Sequence, residues 1–166
     1  MDHLALLIAR PATRSHWGPY AIEGPRSPVA MLSLGEGEKF HIAFPEGAGL
    51  YEGHFRPRPK ERYGPYGVLN ATLSHQGSRL VGAYVPDTFW SWFSGPWRFL
   101  IPLSGTLYTF RFGWEGRFPV LRDGVRVGEI WFENFVPTYY IVLPEQVPPQ
   151  VAIFFFALFV RHWLGS

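Results

Sequence analysis

Four cations recur at alternate positions in one short segment: Arg56, Arg58, Lys60 and Arg62, separated by Pro57, Pro59 and Glu61. In an extended backbone, side chains two apart project to the same side, so this spacing gathers four positive charges into one row. Such a row suits phosphate, either of anionic lipid headgroups, at about 1 kcal/mol per basic residue near a surface, or of nucleic acid. A second segment, from Phe89 to Trp97, carries Trp90 and Trp92 on one face of an extended chain and Phe89 and Phe93 on the other. Tryptophan joins a large apolar body to one N–H donor, the combination that settles at membrane–water interfaces.

Residue types for other chemistry are present without the spacing it needs. His3, His16, His41, His54, His75 and His162 never fall two apart on a strand or four apart on a helix, the separations that turn two imidazoles toward one metal ion. They read as surface or turn histidines. Glu129 and Glu133 are separated by a strand end and its loop, and read as solvated carboxylates rather than an acid–base pair. There is no Gly-Xaa-Ser-Xaa-Gly elbow, no phosphate-binding Gly-Lys loop and no His-Glu-Xaa-Xaa-His helix. With no cysteine, disulfides, thiolate catalysis and Cys-ligated zinc are excluded. The expectation is a non-enzymatic protein with no catalytic residues, metal or cofactor.

The elements that must position the two segments are strands. Gly 18 and Pro 16 punctuate a 166-residue chain in which 18% of residues are aromatic, a composition of short strands and turns in one domain. Net charge is only +2, so no general attraction for nucleic acid follows. Apolar runs are read as strands at Leu4–Ile8, Tyr20–Glu23, Val29–Leu34, Phe40–Phe44, Leu50–Phe55, Val68–Leu73, Leu80–Val85, Thr88–Phe93, Trp97–Ile101, Thr106–Phe112, Phe118–Leu121, Val125–Phe132 and Thr138–Leu143. Asp123-Gly124 is the strongest hairpin signal among the connections. The stretch from Arg56 to Arg62 is expected to stay out of any ladder, because Pro57 and Pro59 lack a donor.

The chain closes on a different pattern. From Pro148-Pro149 to Gly165 the punctuation is that of one helix over 149–164, proline at its first turn and glycine just past its end. Val151 to Val160 leave it no polar stripe. A helix apolar all round must be enclosed, and this one is shorter than the ~20 residues that span a bilayer. About a dozen evenly spaced strands supply the enclosure, an antiparallel barrel wide enough to hold it.

Arg122–Phe135, the strand Tyr139–Leu143 and the apolar run from Pro144 to Val160 together resemble the tubby C-terminal-like superfamily, with the LURP-one-related proteins and the phospholipid scramblases nearest. The resemblance implies a twelve-stranded antiparallel barrel threaded by a hydrophobic C-terminal helix, over residues 1–166. The chain departs from scramblases in having only three aspartates, Asp2, Asp87 and Asp123, too few for acidic calcium loops, and no lipid-anchoring cysteines. No position matches the phosphoinositide site of tubby proteins.

The functional expectation is therefore a β-barrel domain that binds phospholipid or an anionic membrane surface through Arg56, Arg58, Lys60, Arg62, Trp90 and Trp92. Met1-Asp2-His3 followed by the short run Leu4–Ala9 is no export signal, so the expected location is cytoplasmic and peripheral to the membrane. Two alternatives stand beside it. One is a carrier holding a small apolar ligand inside an aromatic-lined barrel. The other is a tethered protein whose C-terminal tail inserts in the bilayer.

Overall fold

A computed structural model describes residues 3–13, 18–35, 39–45, 49–57, 69–86, 97–103, 106–111, 116–133 and 138–164. Among them are twelve β-strands and one helix: β1 (Leu4–Pro11), β2 (Tyr20–Glu23), β3 (Pro28–Leu34), β4 (Lys39–Ala43), β5 (Leu50–Pro57), β6 (Leu69–His75), β7 (Ser78–Pro86), β8 (Trp97–Leu103), β9 (Thr106–Arg111), β10 (Arg117–Arg122), β11 (Val125–Phe132), β12 (Tyr139–Pro144) and α1 (Pro149–Leu164). The protein is thus mainly β, one large antiparallel sheet with a single C-terminal helix. Twelve of the expected strands are found. The thirteenth, Thr88–Phe93, lies outside the described residues.

One expectation is corrected. Arg56 and Pro57 do join the ladder, opposite Asn70 and Leu69, at the very end of β5. A proline is tolerated there because a strand's last residue can forgo its donor without interrupting the ladder.

Consecutive strands pair from β2 through to β12, all antiparallel, and β1 pairs with β12 on one side and with β2 on the other. Two tight hairpins are built by local chemistry. Gln76 and Gly77 (φ 45° and 84°) and Asp123 and Gly124 (φ 49° and 85°) both take the left-handed conformation at their two central positions, as a type I′ turn requires. Asp123 is also held from outside its own turn. Its N–H donates to the Leu107 carbonyl and its Oδ1 accepts from the Leu107 N–H, each at 3.0 Å, which ties the β10–β11 turn to the start of β9.

Period-two alternation decides which face is buried. Leu7 and Ala9 of β1, Tyr20 and Ile22 of β2, Leu32 of β3, Phe40 and Ile42 of β4, Phe118 and Val120 of β10, and Ile141 of β12 are all buried, while their strand neighbours are at least partly exposed. Opposite that face lies α1, in which every residue from Val151 to Val160 is buried. No side of the helix reaches solvent over those ten positions. At 1.5 Å per residue its sixteen residues extend about 24 Å, close to the ~26 Å of an eight-residue strand, so one helix serves the whole height of the sheet.

Packing between them uses aromatic rings. Phe40 on β4 lies across Gly53, its partner on β5, so closely that a Cβ at position 53 would sit 2.0 Å from the ring. The absent side chain lets Phe40 pack against Phe55 at 4.7 Å and stack on Phe154 of the helix at 5.8 Å.

Candidate functional site

The helix gives the molecule two unlike ends. Because β12 finishes at Pro144 immediately before α1 begins, one end, the entry end, holds the start of the helix, and the other, the exit end, holds its finish. Antiparallel order then assigns every strand terminus. The end of β5 and the start of β6 pair at Pro57 and Leu69, and the end of β7 and the start of β8 pair at Pro86 and Trp97, all four at the exit end.

The predicted binding residues fall against these termini. Arg56 is the next-to-last residue of β5, paired with Asn70. Arg58, Lys60 and Arg62 belong to the connection from β5 to β6 and lie outside the described residues, as do Trp90 and Trp92 in the connection from β7 to β8. Both connections leave and re-enter the sheet at the exit end. Only the β6–β7 hairpin separates them along the chain, and it turns at the entry end.

Side chains that the sequence did not single out add to the same end. Arg161, in the last turn of α1, holds its guanidinium 5.8 Å above the Phe55 ring, and a cation there also complements the partial negative charge of a helix C-terminus. On the outer face, Arg117 lies 5.4 Å over Trp131, and Trp131 stacks on Tyr140 at 5.1 Å and 14°. Arg117 and Arg126 both donate to Glu129, at 3.1 and 2.6 Å. Exposed pairs of this kind add little stability, so their contribution is to surface character, an aromatic pair with guanidinium beside it. Trp131 and Tyr140 escaped attention because a partner one strand away is visible only once the β11–β12 register is known.

Inside the exit end sits the one buried polar pair of the described core that carries phenols. Tyr20 and Tyr139 pack edge to face at 5.9 Å, and both rings contact Phe156, at 5.3 and 5.2 Å. The two hydroxyls are hydrogen-bonded to each other. Burial pushes both phenols above their ordinary value, and for Tyr20 the neighbouring Tyr139 and the bond to it push further. A raised pKa of an acid means the native state keeps protons the unfolded chain has lost once pH passes about 10, so stability present below pH 10 falls as pH rises beyond it. The urea midpoint is therefore expected to drop between pH 9 and 11.5. The double variant Tyr20→Phe/Tyr139→Phe, which removes both partners of the bond together, should show a shallower drop by the same measurement.

Chemistry beyond binding finds no constellation. Among the described residues no three His, Asp or Glu side chains gather as metal ligands would. Glu129 is occupied by two arginines, and Glu133 lies one residue beyond β11, bonded through its backbone N–H to the Thr138 carbonyl. Among the described residues, too, no helix is long and apolar enough to cross a membrane. No family model, no curated protein and no solved structure matches the chain.

Proposed function

We propose that this protein is a non-enzymatic, tubby-like β-barrel domain, closed around its own C-terminal helix, that binds anionic phospholipid surfaces through its exit end. Closure is supported by the two partners of β1, which hydrogen-bonds to β12 and to β2 and so leaves neither strand as a free edge. A twelve-stranded ring has an interior wider than its own side chains fill, and α1 supplies the filling. The space that a carrier would need for an apolar ligand is taken by Phe154, Phe155, Phe156 and Phe159, all with no exposed surface.

The observation that carries the lipid reading is the shared end. The connections that contain the basic segment 56–62 and the tryptophan segment 89–97 depart from the same end of the sheet that carries Arg161 and, on strands β10 to β12, the outer-face group Arg117, Trp131 and Tyr140. Cations that attract headgroups and amphipathic rings that lie among them are the two parts of a peripheral membrane contact.

Flotation with vesicles tests it. The protein is expected to float with phosphatidylcholine vesicles containing phosphatidylserine, not with phosphatidylcholine alone, and to be released by 0.5 M salt, where the screening length falls to a few ångströms. Replacing Arg58, Lys60 and Arg62 by Gln removes about 3 kcal/mol of attraction, a loss in affinity of more than a hundredfold. Leu50→Ser, at the entry end, should leave flotation unchanged. Equal binding to neutral vesicles, or loss on changing Leu50 instead of the cations, would discard the reading.

A further inference from the structure

The strand that delivers the chain into the basic segment also carries a histidine on its outer face. Along β5 the alternation buries Gly53 and Phe55, and it turns Glu52 and His54 outward, Glu52 exposed and His54 partly so. Register sets Lys39, the first residue of β4, directly opposite His54. Lys39 is exposed and its neighbour Phe40 is buried, so Lys39 and His54 share the outer face. Side chains directly opposite in an antiparallel pair have Cβ atoms about 5 Å apart. This pair is also the last rung of the β4–β5 ladder at the exit end. Arg56 follows His54 by two residues, and the connection with Arg58, Lys60 and Arg62 begins immediately beyond.

The charges around the imidazole are few. Across β4 stand Lys39 and, diagonally, His41; across β6 stand Thr72 and, diagonally, Ser74, both uncharged. On β5 itself Glu52 precedes His54 by two residues, and Glu52 lies directly opposite His41. Neither the Lys39 ammonium nor the His54 ring has a hydrogen-bond or ion-pair partner among the described residues. Histidine is the side chain whose charge ordinarily changes between about pH 5 and 8. Once His54 is protonated, two cations face each other across one rung. They repel unless an anion sits between them, and a phosphate, with several acceptor oxygens, can take a donor from each.

We propose that Lys39 and protonated His54 form a phosphate clamp at the edge of the membrane contact, so that attachment to anionic phospholipid tightens as pH falls and the imidazole gains its proton. The inference rests on the lipid reading above. It adds the outer face of β4 and β5 to the binding surface, and it makes the proton a regulator of attachment.

Flotation of the full-length protein at constant ionic strength, at pH 7.5 and at pH 5.5, tests it. The vesicles are phosphatidylcholine containing phosphatidylglycerol, whose phosphodiester keeps its charge over that range. Binding is expected to be about fivefold tighter at pH 5.5, the gain that one added basic charge near the surface gives. His54→Gln should hold both measurements at the pH 7.5 level, and His54→Arg, charged throughout, should hold both at the acid level. Circular dichroism confirms that each variant is folded, and either one alone decides the outcome. His3→Gln, at the entry end, should keep the full acid gain. An acid gain that survives in His54→Gln or His54→Arg, or equal binding of the unmodified protein at both pH values, would overturn the proton link and leave the lipid reading standing. Absence of binding at both pH values would remove the lipid reading and this inference with it.

Discussion

Removal of residues 151–166 is expected to yield an insoluble chain. The sheet's inner face, including Leu32, Phe40, Ile42, Phe118, Ile130 and Ile141, packs toward α1 and is wholly buried. Without the helix those side chains lose their cover. From the helix side, Phe154, Phe155, Phe156 and Phe159 each have no exposed surface, and burying four phenylalanines contributes about 6 to 12 kcal/mol before chain entropy is subtracted. The net stability of a domain is itself only about 5 to 15 kcal/mol. Sedimentation after expression checks the expectation. A truncated protein that remained soluble, with the far-ultraviolet circular dichroism of an intact sheet, would show that the tail is an appendage and that something else forms the core.

A single ring should already be felt strongly. Phe156→Ala is expected to cost about 3 to 5 kcal/mol, near the top of the range for a point change, because Phe156 touches Tyr20, Tyr139 and Phe159 and no solvent. Collapse cannot repair the gap easily, since its walls are rings on two strands whose backbones are fixed by the ladder. Phe156→Leu should recover part of the loss, and Leu107→Ala, at a position 41% exposed, should stay within about 0.5 kcal/mol. Urea midpoints measured on all three decide it. Similar values for Phe156→Ala and Leu107→Ala would mean that the helix is loosely held.

The physics of what could be read in the sequence divides local from distant. Turn chemistry is local, so Asp123-Gly124 announced its hairpin, and proline and glycine bracketed α1 to its observed bounds. The enclosure of the helix was legible because ten consecutive residues without a polar side must be covered on every face. Pairing between strands far apart in the chain, such as Leu4 with Pro144, has no local signature at all. For the candidate site, composition supplied the cations and tryptophans, whereas the common end at which β5, β6, β7 and β8 meet the two connections follows only from counting strand directions along the finished sheet. His75 reads as an ordinary turn residue, and its contacts with Tyr51 and Gly49 come from a neighbouring strand whose register the sequence does not declare.

Chain order also sets a timetable for biosynthesis. A ribosome makes all twelve strands before it makes α1, so every inward-facing ring on the nascent chain waits for a partner not yet translated. β1, the earliest strand, waits nearly as long for β12. Folding dominated by such remote pairings is slow, and exposed strands are prone to association in the meantime. Burial of the sheet's inner face must therefore wait until synthesis has passed residue 164.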